Sequence, residues 1–127
     1  MIALELPLRT VSESNAHVHW RIRQKRAKAH REGTYVALCC LRAAPGLLLS
    51  QHGRLVVTLT RLAPRALDDD NLQGALKHVR DGVADALGID DRDARIAWRY
   101  GQAKGPRPGH YAVRVVIAPA TLVRESA

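Results

Sequence analysis

The chain of 127 residues carries 20 Lys and Arg against 12 Asp and Glu, a formal charge of +8 with a pI near 10.3; so basic a single domain favours an anionic partner, nucleic acid first. No apolar run approaches the roughly 20 residues of a bilayer span and no signal-peptide h-region opens the chain, so no membrane partner and a cytoplasmic location are expected. With 46% hydrophobic residues but only 4% aromatic and no Phe, the core must come from Leu, Val, Ile and Ala, while the adjacent Cys39 and Cys40 form neither a disulfide framework nor a zinc spacing and are expected to be buried in a helix.

Residues 2 to 8 (IALELPL) alternate apolar with other residues and contain Pro7 near their end, which suits a short strand near a sheet edge. Ser12, Ser14 and Asn15 offer helix caps, and residues 17 to 43 contain no Pro and one Gly, so a long helix is predicted there, with Gly33 the point at which it could divide. Val18, Ile22, Tyr35, Leu38 and Leu41 fall at helical spacing on its inward side. Pro45-Gly46 reads as a turn, and residues 54 to 62 (RLVVTLTRL) as a strand ended by Pro64.

Residues 71 to 87 place Leu72, Ala75, Leu76, Val79, Val83, Ala86 and Leu87 on one face of an amphipathic helix stopped by Gly88. Two further strands, residues 94 to 100 and 110 to 118, are joined by GQAKGPRPG and predicted to pair as a hairpin. The order β-α-β-α-β-β implies one α/β (α+β) domain over residues 1 to 127, a two-layer sandwich with a mixed four-stranded sheet.

Between the second strand and the second helix stand three consecutive carboxylates, Asp68, Asp69 and Asp70. Mutual repulsion makes that costly unless a cation or a helix dipole offsets it. Capping accounts for one or two of them, at about 0.3 to 1 kcal/mol each, and not obviously for three; on the triplet alone a plain helix cap and a cation site both stay open. Asp90 and Asp91 follow the far end of the same helix, with Asp93 beyond. A helix of about 17 residues rises about 25 Å, so the two acidic turns meet only if the chain doubles back or a dimer brings them together. Asp70, Gly74, Lys77 and Asp81 form one stripe on the polar helix face, where Gly74 suggests close approach by a backbone or a ligand, and Lys77 either supports chemistry or pairs with Asp81. The ligand spacing of an EF-hand is absent.

The segment LDDDNLQGALKHVRDGVADALGIDD, together with the opening LELPL and Asn15, resembles the RusA family of Holliday junction resolvases of bacteria and their phages. The family pattern runs Asp-x-Asp-Asn-Leu, then a Lys, an Asp four residues after it and a later Asp-Asp pair. It falls here on Asp68, Asp70, Asn71, Leu72, Lys77, Asp81, Asp90 and Asp91. Gly74 stands where the family's lysine usually does, and Asp69 replaces a typical Leu. The resemblance implies a RusA-like fold and a homodimer that binds four-way junction DNA and nicks it symmetrically in recombination and repair. It also implies Mg²⁺ or Mn²⁺ held by Asp68, Asp70 and Asp91, with Lys77 as the fourth catalytic residue, acting on the transition state. A protein of the same fold that binds junctions or other nucleic acid with impaired catalysis, and a ribonuclease, are the alternatives.

Arg21, Arg23, Lys25, Arg26, Lys28 and Arg31 form a run without an acid, which reads as a phosphate-contacting face, and Lys104 and Arg107 in the last loop as a second contact. His17 and His19 lack a third metal ligand and are read as phosphate contacts or plain surface. Trp20 and Trp98 are read as core or dimer anchors.

Overall fold

The computed structural model describes residues 1–11, 19–41 and 44–122. The expected caps Ser12, Ser14 and Asn15, together with His17 and Val18, lie outside the described residues. Eight elements follow in chain order: β1 (Ile2–Leu6), α1 (Trp20–Cys39), α2 (Pro45–His52), β2 (Leu55–Leu62), α3 (Asp69–Leu87), β3 (Ile96–Ala103), β4 (Ala112–Pro119) and a short 3₁₀ turn (Ala120–Leu122). The architecture is α+β, three α-helices on a mixed four-stranded sheet of order β1-β4-β2-β3.

The expected hairpin between the last two strands does not form. β3 instead pairs parallel with β2, and β4 inserts between β1 and β2, antiparallel to both. Composition explains the exchange. β4 (AVRVVIAP) is buried at six of its eight positions and suits a central strand, whereas β3 (IAWRYGQA) is fully buried only at Ile96 and suits an edge. Parallel pairing of β2 with β3 needs a long crossover, which α3 supplies.

Period-two alternation directs Leu55, Val57 and Leu59 of β2 and Val113, Val115 and Ile117 of β4 into the core, where they meet Leu72, Leu76, Val79, Val83 and Leu87 of α3. The other sheet face carries Ala3, Glu5, Arg114 and Thr60, with Arg114 3.7 Å from Glu5 on the neighbouring strand. Helix α3 ends in a Schellman motif: Gly88 takes φ 72°, its N–H donates to Asp85 O, and that of Ile89 donates to Ala84 O.

Helix α1 runs unbroken through Gly33 and packs on α3. A Cβ on Gly82 would stand 2.5 Å from Arg31 O and 2.8 Å from Thr34 Cβ, so glycine is what lets the two helices cross. That narrow contact buries only His30, Thr34 and Leu38 of α1. Ile22 and Tyr35, expected to face inward, are therefore exposed at 46% and 43%. Cys39 and Cys40 are exposed as well, contrary to expectation. The turn expected at Pro45-Gly46 is the first turn of α2, since proline's fixed φ suits the opening of a helix. No helix among the described residues is long and apolar enough to cross a membrane.

Candidate functional site

Asp68 is the N-cap of α3: its carboxylate accepts the N–H of Asn71 at 2.9 Å, and Asp69 and Asp70 occupy the first turn. All three are exposed. The turn is held from the sheet by Gln102 at the end of β3, whose side chain accepts from Leu67 N at 2.9 Å and donates to Leu67 O at 2.7 Å. Capping thus accounts for Asp68 and the helix dipole favours its two neighbours. Among the described residues no Lys or Arg forms an ion pair with any of the three, and Lys77, exposed two turns along, makes none either. Asp81 lies 3.7 Å from His78 Nδ1 instead of pairing with Lys77. Gly74 has nothing within 4 Å of a notional Cβ; the close approach belongs to Gly82.

Asp91 stands at the opposite end. The 19 residues of α3 rise about 27 Å. The chain does double back, but β3 runs parallel to β2, so its far end, Gln102, reaches the Asp68 turn while Asp91 stays beside the start of β3. There Arg80 Nε is 3.3 Å from the Asp91 carboxylate, and Arg80 Nη2 and Trp98 Nε1 donate to Asp91 O at 2.9 and 3.0 Å. The Arg80 guanidinium lies over the Trp98 ring at 4.6 Å. Trp98 is half-buried against the core, whereas Trp20 is exposed at 56%. Among the described residues, no three or more His, Cys, Asp or Glu side chains come together as a metal site. A single protomer therefore leaves Asp91 apart from Asp68 and Asp70.

The basic face of α1 is real in part. Arg21, Arg23, Lys25 and Lys28 are exposed and Arg26 is half-buried. Arg31 is committed elsewhere, donating through Nε and Nη2 to Asp85 at 2.7 and 2.9 Å. Those hydrogen bonds raise the Arg31 guanidinium above its ordinary range and hold Asp85 below the usual carboxylate value. Lys28 stands 3.9 Å from Glu32, an exposed i, i+4 pair. His19 is the N-cap of α1, its Nδ1 accepting from Arg21 N at 3.2 Å, which gives it a structural task. Lys104 and Arg107 are exposed in the loop between β3 and β4.

Three residues escaped sequence reasoning: Arg80, Gln102 and Arg61. The partners of the first two come from elements 11 and 35 residues away in the chain, so no local pattern announces them. Arg61 carried one available signal. It continues the inward parity of Leu55, Val57 and Leu59, which places a guanidinium on the core side of β2.

No family model matches the chain. A protein of Xylella fastidiosa (strain Temecula1 / ATCC 700964), described as an uncharacterized protein, is 47% identical over 81 residues. The match covers 61% of this chain and 52% of that protein, so the chain spans about half the length of the relative it matches.

Proposed function

We propose that the protein is a Mg²⁺- or Mn²⁺-dependent endodeoxyribonuclease of the RusA type, which binds four-way junction DNA as a homodimer and introduces paired symmetric nicks. The observation that carries this reading is the Asp68–Asp69–Asp70 turn: three exposed carboxylates without a basic partner among the described residues, on a chain of charge +8. Hard carboxylate oxygens suit Mg²⁺, which keeps part of its water shell and needs only one or two carboxylates besides phosphate oxygens. Asp68 and Asp70 would hold the ion. When bound, it supplies activation of water and charge neutralisation at the scissile phosphate.

The chain's own residues do the rest. Lys77, exposed on the face of α3 that follows Asp70, is a point charge for the phosphate as negative charge grows on it. The cations of α1 and the Lys104–Arg107 loop hold the DNA backbone. Asp91 joins the site only from a second protomer. Mixing Asp70→Asn and Asp91→Asn proteins, each inactive alone, would then restore cleavage, because a heterodimer sharing residues across its interface contains one intact site. Mixtures as inactive as their components would remove Asp91 from the ligand set.

The primary test is cleavage of a synthetic four-way junction in Mg²⁺. Asp70→Asn is expected to reduce it roughly 100-fold or more; undiminished cleavage would sink the site. Duplex DNA and structured RNA run beside it, and faster cleavage of RNA would make the protein a ribonuclease. The engagement of Asp91 by Arg80, with Gly74 where the family's lysine stands, favours one second reading, a junction-binding protein that does not cut. Tight junction binding without nicks in either Mg²⁺ or Mn²⁺ is its signature.

A further inference from the structure

Arg61 is 5% exposed, at the carboxyl end of β2. Its guanidinium donates from Nε to Thr10 Oγ1 at 3.0 Å, from Nη1 to Arg65 O at 2.7 Å and from Nη2 to Thr10 O at 3.4 Å. Three of its five N–H groups thus reach oxygens, all of them neutral, and among the described residues no carboxylate pairs with it. A buried charge without a counter-charge is costly. Burial accordingly pulls this guanidinium below its ordinary pKa.

Beside it opens a cavity of about 110 Å³ whose lining includes Arg61, Arg65, Gln102 and Lys104. That volume is of the order a tetrahedral anion needs, and the exposed Arg65 and Lys104 leave its mouth open to solvent. Arg61, Arg65 and Lys104 line it together with Ala63, Ala66 and Ala103, and Gln102, whose amide is spent on Leu67, forms part of the wall. The position fits too: β1, β2 and β3 run in one direction, so their carboxyl ends gather at this edge, where ligands of open α/β sheets bind. Gln102 also clamps Leu67, so the cavity adjoins the turn that bears Asp68 and Asp70.

We propose that this cavity is an oxyanion site for a phosphate group, with buried Arg61 as its anchor and Arg65 and Lys104 as exposed arms. Identifying that phosphate with the nucleic-acid backbone rests on the nuclease reading; the anion site itself does not. The site complements the carboxylate turn: one grips a phosphate, the other a cation, and Gln102 keeps them in register.

The test uses the whole chain in EDTA, so that no metal contributes. Inorganic phosphate is titrated at constant ionic strength while the arginine Nε–H signals are followed by ¹⁵N NMR, the Arg61 signal being assigned by its loss in Arg61→Lys. The site predicts a saturable shift of that signal. In Arg65→Gln/Lys104→Gln, which alters exposed residues only, the apparent Kd is expected to weaken about tenfold. A shift no larger than chloride produces, or an affinity unchanged in the double variant, would reduce Arg61 to a structural staple and overturn the proposal. A four-way junction added in a parallel arm identifies the source. Displacement of phosphate by the junction makes the ligand a backbone phosphate, whereas saturation by phosphate that the junction leaves undisturbed makes it free phosphate. Because metal is absent, failure here leaves the Asp70→Asn cleavage test intact, and failure of that test leaves this one intact.

Discussion

At the C-terminal end of α3 and in the loop beyond it, three aspartates each have an arginine: Arg31 stands 2.7 Å from Asp85, Arg80 3.3 Å from Asp91 and Arg95 2.8 Å from Asp93. At the N-terminal end Asp68, Asp69 and Asp70 have none among the described residues. The helix itself supplies a reason. An acid in the last turn faces the negative end of the dipole and has to be neutralised from outside the helix, as Arg31 of α1 does for Asp85. Acids in the first turn meet the positive end and need no arginine, which leaves their outer oxygens open to a cation. Asp85 and Asp91 are consumed in tying α1 and the approach to β3 to α3, and Asp93 in a local pair with Arg95, leaving Asp90 to accept Arg92 N; the N-terminal three are available for chemistry.

The sharpest way to break this contrast is to exchange amides for acids at both ends. Asp70→Asn is expected to cost roughly 100-fold in junction cleavage while leaving the unfolding midpoint almost unchanged. Asp85→Asn is expected to do the reverse, lowering the midpoint and sparing cleavage. A loss of stability in Asp70→Asn beyond the roughly 1 kcal/mol that the helix dipole accounts for, measured by urea unfolding, would mean that the N-terminal acids are structural after all.

Next in size is Gly82→Val, which drives a side chain into Arg31 O and Thr34 at the α1–α3 crossing. It is expected to destabilise by about 1–3 kcal/mol, as overpacking does. Arg80→Met follows. It strips the cation from Asp91 and leaves Asp91 O with Trp98 Nε1 as its remaining side-chain donor, at a cost of about 1–2 kcal/mol in chemical denaturation. An unaffected stability would show that the Arg80 ion pair is idle and would return Asp91 to the pool of free carboxylates.

The smallest effect is in pH. Hydrogen bonds from Arg31 and Arg95 hold Asp85 below its ordinary value and Asp93 down to about 2. A carboxylate whose folded pKa is depressed contributes stability above its unfolded pKa, near 4, and loses it as pH falls through the folded value. The Asp85–Arg31 pair should therefore weaken as pH falls below the ordinary carboxylate range, and the Asp93–Arg95 pair between about pH 4 and 2. Unfolding midpoints of the native protein and Asp93→Asn are expected to converge across that window, and parallel curves would deny Asp93 its depressed pKa.

Much of the fold and part of the site could be read in advance because they are local. The alternation of RLVVTLTRL marked β2 to within one residue, and the three-and-four spacing from Leu72 to Leu87 marked α3. Gly88 as a stop follows from one turn of backbone; the helix expected from residue 71 opens instead at Asp69, with Asp68 as its cap. What could not be read depends on competition for the interior. A hairpin between β3 and β4 satisfies every local rule, yet the apolar surface of β4 is worth more in the centre of the sheet than at its edge. The same holds for α1: its buried residues His30, Thr34 and Leu38 keep helical spacing, but where Gly82 lets it cross decides which stripe faces inward.

Residue type and spacing by themselves thus determined that this chain would be basic, α+β and mixed-sheeted, with an acidic turn opening its amphipathic helix. Tertiary structure alone decided which acids have partners, which strand lies in the middle, and that Arg61 is buried without a counter-charge among the described residues. The physical reason is range: helical period, strand alternation and capping act over a few residues. Ion pairing and burial depend on neighbours tens of residues away in the chain, which only folding brings together.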